Sequence, residues 1–160
     1  RDPRSVAVSY ANHIDMSYEK SVEIICNRDQ YEDNERNIIE IRSSWKIHYL
    51  SWKNRDFPKL IIKYEDLVDN TFETFTKVLN FLNKFKEIKI DKNKINETVD
   101  KCSFESLSKL EKLKGFDEKK GKENFFRKGL IDEWKSALKK DLVFKIEKEF
   151  FEEMKELKYL

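Results

Sequence analysis

The chain has 160 residues, enough for one domain with a core, and 40% of them are charged. Its 33 basic and 31 acidic residues leave a net charge of +2, which gives no support to a nucleic-acid binder driven by bulk charge, so any anion recognition must be local. Cys26 and Cys102 lie far apart without CxxC or histidine spacing, and no apolar run reaches membrane-spanning length, a pattern that argues against a metal site and a membrane span and predicts a soluble, cytoplasmic protein.

Asp2 is a good N-cap and Pro3 suits a first helical position, so a helix is predicted from there to about Asn12. Arg1 would stand at its mouth, with Ser9 about 9 Å further along the axis at about 1.5 Å per residue, so both could reach one phosphate. The alternative is that Asp2 and Pro3 simply cap the helix and Ser9 is incidental. A helix entered in this way normally follows a parallel strand in an α/β protein, so the chain is expected to be the C-terminal part of something longer.

Ser17 is expected to cap a second helix carrying Val22, Ile25 and Cys26 on one face, followed by a polar connector from Asn27 to Arg36. Ile38, Ile41, Trp45, Tyr49 and Trp52 recur at spacings of three and four, which predicts one long amphipathic helix. His48 beside that stripe reads as a core histidine more readily than as a base. After Phe57-Pro58, the apolar run Leu60-Ile61-Ile62 predicts a buried parallel strand over about 59–64. Tyr64 and Glu65 at its C-terminal end would face a ligand crevice.

Thr71 is expected to cap a helix with Phe72, Phe75, Leu79 and Leu82, and Asp91 one with Ile95 and Val99. Ser103 caps a helix bearing Leu107, Leu110 and Leu113 that ends near Gly115. A charged loop then leads into Phe125–Lys135. There Arg127-Lys128 precede Gly129, and a helix is expected near Ile131. Arginine offers a planar fork of donors, lysine a point charge, and glycine close backbone approach, a set suited to an oxyanion. The alternative is a solvated basic loop, although Phe125, Phe126 and Trp134 would pin it. A terminal helix with Val143, Ile146, Phe150, Met154 and Leu157 closes the chain.

Taken in register, RDPRSVAVSYANH, SSWKIHYLSW, KYEDL, CSF and FFRKGLIDEWK resemble the soluble PAPS-dependent sulfotransferases from Arg1 to at least Trp134. The resemblance implies the C-terminal part of a P-loop-like α/β sulfotransferase fold, mostly helical, as a single incomplete domain. It implies 3′-phosphoadenosine 5′-phosphosulfate (PAPS) as sulfuryl donor and an acceptor hydroxyl or amine; that no metal, nucleic acid or membrane partner is expected follows from the cysteine spacing, the charge balance and the lack of a long apolar run. By position, Arg1 and Ser9 match the pair on the nucleotide 3′-phosphate, and Arg127, Lys128 and Gly129 match the loop closing over it. Tyr64 matches the tyrosine on the adenine side, while Ser103 and Phe104 match the pair contacting the nucleotide, Phe104 against the adenine ring.

The resemblance places the catalytic lysine, in a loop like TYPKSGTTW, and the catalytic histidine outside this chain; His13 and His48 do not sit where that base belongs. No catalytic residue is assigned here. Three departures stand out. Cys102 replaces a threonine, Asp132-Glu133-Trp134 replaces Gly-Asp-Trp, and Lys139-Lys140 replaces the Thr-Val pair of a dimer motif. The other readings of the chain are a non-catalytic nucleotide-binding protein and a helical interaction module.

Overall fold

The structure, a computed structural model, describes residues 1–29, 31–33, 39–41, 43–117 and 121–160. It divides into two compact units. One holds Arg1, the chain from Pro58 through the helix ending at Lys114, and Glu123–Ile131; the other holds Asp2–Phe57, Lys122 and Asp132–Leu160.

In the second of these units, α1 spans Pro3–Ile14 and starts as its sequence dictates, with the Asp2 carboxylate accepting from the Arg4 N–H. It stops at Asp15, whose φ of +59° leaves the helical region. Next comes α2, Tyr18–Cys26, capped by Ser17, which accepts from the Lys20 N–H. Two short strands, β1 (Tyr31–Asp33) and β2 (Ile39–Ile41), pair antiparallel. The helix α3 covers Trp45–Lys53.

The predicted long helix through Ile41 is therefore corrected: Ile41 belongs to a strand, and Ile38 lies outside the described residues. Ser43 has a φ of +56°, which no helix continues through, and the Ser44 side chain accepts from the Ile47 N–H as an N-cap. Spacings of three and four fitted a helix, but the local serine cap sets where it starts.

In the unit holding Arg1, α4 spans Tyr64–Asp69, α5 Thr71–Leu82, α6 Lys92–Lys101 and α7 Phe104–Lys114. Neighbouring helices pack in sequence order. The Thr74 hydroxyl is buried and donates to the Asp66 carbonyl at 2.9 Å, fixing α5 on α4. Asp91 accepts from the Asn93 N–H at the start of α6, and Ser103 from the Ser106 N–H at the start of α7.

The parallel strand expected over 59–64 is not formed. Residues 59–63 have no regular structure, and Tyr64 opens a helix instead. Leu60 and Ile61 are 38% and 48% exposed, so the apolar run is not a buried one. A strand is held by ladder hydrogen bonds to a neighbour, and among the described residues the only strands are β1 and β2, paired with each other. Glu65 and Asp66 instead occupy the first turn of α4, where the helix dipole favours carboxylates. The regular structure of the described residues is thus helical apart from one antiparallel ribbon, which overturns the α/β expectation with its parallel strand.

Returning to the unit that holds Asp2, α8 spans only Trp134–Ala137, α9 covers Lys140–Glu149 and α10 Phe151–Glu156. The single terminal helix of the prediction is broken at Phe150, whose φ of −115° lies outside the helical range. This break seats Phe150 and Met154, both fully buried, against Val8, Val22 and Ile146 in the core of the unit. Arg4 closes that core. Its guanidinium lies 3.8 Å over the Trp134 ring, pairs with Asp2 at 2.6 Å and Glu147 at 2.5 Å, and donates to the Tyr159 carbonyl at 2.9 Å.

Candidate functional site

The unit holding Arg1 contains a pocket of about 560 Å3. Tyr64, Phe75, Val99, Ser103, Phe104 and Gly129 are among its walls, contributed by α4 to α7 and by the loop after Glu123. Four residues from three separate motifs of the sequence, Tyr64, Ser103, Phe104 and Gly129, thus share one cavity. Most of the wall is apolar and aromatic, with a few polar groups at its edge, the usual make-up of a small-molecule site.

Phe104 opens α7 directly after its Ser103 cap, which puts the ring at the helix mouth, 41% exposed. The Ser103 hydroxyl lies 2.8 Å from that of Ser106. Cys102, the threonine position of the family pattern, is an exposed free thiol that also lines the pocket. Arg1 lies 4.2 Å over the Tyr64 ring and donates to the Leu130 carbonyl at 3.1 Å. The first residue of the chain thus reaches the backbone of the loop just past Gly129.

The loop itself is held firmly. Phe125 stacks on Phe116 at 4.5 Å, and Phe126 meets Phe104 edge-on at 6.5 Å. Gly129 has a φ of +64°, and a Cβ there would stand 2.7 Å from Cδ2 of Phe104. Glycine serves here first to let the backbone lie on the Phe104 ring, a constraint the sequence reading assigned to a ligand. Arg127 is half-buried and Lys128 exposed. The expected helix start at Ile131 is not formed; α8 begins at Trp134 and is a single turn, so it supplies no N-terminal anion site.

Ser9 lies exposed on α1, in the unit built around Val8 and Phe150. Trp134 belongs to that unit as well, beneath Arg4, so pinning of the basic loop falls to Phe116, Phe104 and α7.

One buried side chain that holds the basic loop was not foreseen from the sequence. Glu111 is 6% exposed, and its two carboxylate oxygens accept from the N–H groups of Phe125 at 2.7 Å and Phe126 at 2.9 Å. The leucine spacing misled: Leu110 and Leu113, read as part of the apolar stripe, are 47% and 75% exposed, and Glu111 is buried instead. A buried carboxylate requires hydrogen-bond partners, and here the backbone supplies them.

Among the described residues no group of three or more metal-ligating side chains occurs, and no helix is long and apolar enough to cross a membrane.

A helical unit with an aromatic pocket ending on a glycine-bearing basic loop has the make-up of a site for a flat, anionic small molecule. The Sulfotransferase domain family matches residues 1–158, and the chain belongs to that family. The flavonol 3-sulfotransferase of Flaveria bidentis is 27% identical over 159 residues, 92% of this chain and 51% of that protein. Cytosolic sulfotransferase 12 of Arabidopsis thaliana is 35% identical over 98 residues, 60% of this chain and 29% of that protein. The chain thus spans about half the length, or less, of the curated relatives it matches.

Among solved structures, a mouse sulfotransferase complexed with PAP superposes with a TM-score of 0.71 at 19% identity, over 96% of this chain and 55% of that one. Retinol dehydratase in complex with androsterone and the inactive cofactor PAP gives 0.67 at 20% identity, over 97% of this chain and 46% of that one.

Proposed function

We propose that this chain forms the 3′-phosphate and adenine half of the nucleotide site of a cytoplasmic PAPS-dependent sulfotransferase. The whole enzyme would move a sulfuryl group from PAPS to the hydroxyl or amine of a small-molecule acceptor. The observation that carries the reading is the single pocket shared by Tyr64, Ser103, Phe104 and Gly129, with Arg1 bridging Tyr64 to the basic loop. Family membership supports it, as does the presence of PAP, the product left by PAPS, in two structural neighbours. Flavonols and steroids, named with a relative and a neighbour, suggest small hydroxyl acceptors.

The residues present fit such a nucleotide. A pocket of about 560 Å3 falls within the range of roughly 300–1,000 Å3 usual for small-molecule sites. The exposed Phe104 ring offers a face to a purine, and the Arg127-Lys128 pair supplies the forked and point-charge donors a dianionic phosphate needs. Arg1, Arg127 and Lys128 are assigned to the 3′-phosphate, with the Gly129 backbone beside it, and Tyr64, Ser103 and Phe104 to the nucleoside. PAPS, when bound, supplies an activated sulfuryl group. The chain's own residues hold and orient the nucleotide.

Calorimetric titration with PAP tests the assignment. Charge-assisted hydrogen bonds contribute roughly 1.5–3 kcal/mol, so Arg127→Ala is expected to weaken binding about tenfold or more. Equal affinity of the variant and the unaltered chain would remove Arg127 from the site.

A further inference from the structure

The helix α7 and the residues just past its end touch the basic loop at three places. At its N-terminal end Phe104 packs on Phe126 and on the Gly129 backbone. Midway, buried Glu111 takes the N–H groups of Phe125 and Phe126, one on each oxygen. Beyond its Gly115 cap, Phe116 stacks on Phe125. Two of these contacts are aromatic and tolerate sliding. The carboxylate contact does not, because two parallel N–H donors on two oxygens fix both the height and the direction of the backbone. The residue that follows immediately is Arg127.

We infer that Glu111 is a positioning residue for Arg127-Lys128, setting the donors of the basic pair against the pocket whose wall Phe104 provides. The inference rests on the nucleotide reading of that pocket. Phe104 and Glu111 ride on one helix, seven residues apart and on one face, so the adenine wall and the phosphate donors share a rigid frame. A glutamine at 111 keeps the shape but offers one acceptor oxygen and turns a donor toward the second N–H. Phe125 or Phe126 then loses its partner, and the loop gains freedom at the residue before Arg127.

The test uses the 160-residue chain and its Glu111→Gln variant. Amide hydrogen exchange at Phe125 and Phe126 is expected to quicken by about tenfold or more in the variant. PAP and adenosine are then titrated side by side. A positioning residue for phosphate donors costs PAP affinity about tenfold and leaves adenosine within about twofold, because adenosine has no phosphate to be held. A merely structural role would weaken both ligands alike, and that result overturns the inference, as does unchanged PAP affinity or unchanged exchange. If the unaltered chain binds neither ligand, the nucleotide reading falls and this inference falls with it. If it binds both and the variant matches it, this inference alone falls.

Discussion

Replacing Gly129 by alanine tests how closely the basic loop lies on α7. Alanine would have to keep a φ of +64°, where an L residue costs roughly 1–2 kcal/mol. Its Cβ would also stand 2.7 Å from Cδ2 and 2.9 Å from Cε2 of Phe104, inside van der Waals contact. Overpacking of this kind costs about 1–3 kcal/mol, so the two effects together come to about 2–5 kcal/mol. The loop is a local element, so the energy should appear as easier opening, at least about 30-fold at the lower bound. Hydrogen exchange at the Phe125 and Phe126 amides reads that opening, since both donate to Glu111 in the closed loop. In a Phe104→Ala background the ring is gone and only the backbone cost should remain, leaving the effect of Gly129→Ala about 1–3 kcal/mol smaller. Equal effects in both backgrounds, or less than about threefold acceleration in the parent chain, would refute the contact.

Other expectations concern the unit around Phe150. Arg4→Ala strips a buried pair and leaves Asp2, itself 6% exposed, without its cation; unfolding by urea followed through tryptophan fluorescence should show a loss of about 3–5 kcal/mol. Lys53, then Tyr49, hold the Glu156 carboxylate below its usual range by hydrogen bonding. That contribution is present above the ordinary carboxylate range and lost as pH falls through the lowered value, so Glu156→Gln should narrow the Tm difference between about pH 7 and about pH 3. Burial first, and Glu149 second, push the Cys26 thiol up to about 11, whereas Cys102 is exposed. Iodoacetamide at about pH 8 should alkylate Cys102 well before Cys26, where the thiolate is only about 0.1% of the total; peptide mass spectrometry giving the reverse order would contradict the burial.

Four helix starts were legible from their capping side chains, whereas the Ser44 cap of α3 was passed over. Asp2, Ser17, Asp91 and Ser103 all accept the N–H bonds that their positions foretold. Periodicity was weaker where two readings competed. The isoleucines near residue 40 fitted a helical stripe, yet the Ser43-Ser44 pair imposed a boundary inside it. The run at 60–62 was apolar enough for a strand, but strands depend on partners, which a local reading cannot supply. Phe150 shows the converse, a break that the core demands and no proline or glycine announces. In the site, motif matching gathered Tyr64, Ser103, Phe104 and Gly129, which do line one pocket. It missed Glu111, because a buried acid whose partners are backbone N–H groups leaves no pairing pattern in the sequence.

We assign to the basic loop the recognition of a 3′-phosphate beside an adenine pocket. Its most direct measurement is the affinity of the chain for adenosine 3′,5′-bisphosphate relative to adenosine 5′-monophosphate, which differs only in lacking the 3′-phosphate. The unaltered chain should prefer the bisphosphate by about tenfold or more, and Arg127→Ala/Lys128→Ala should bind the two nearly equally. A preference that survives the double substitution, or no preference in the unaltered chain, would contradict the assignment.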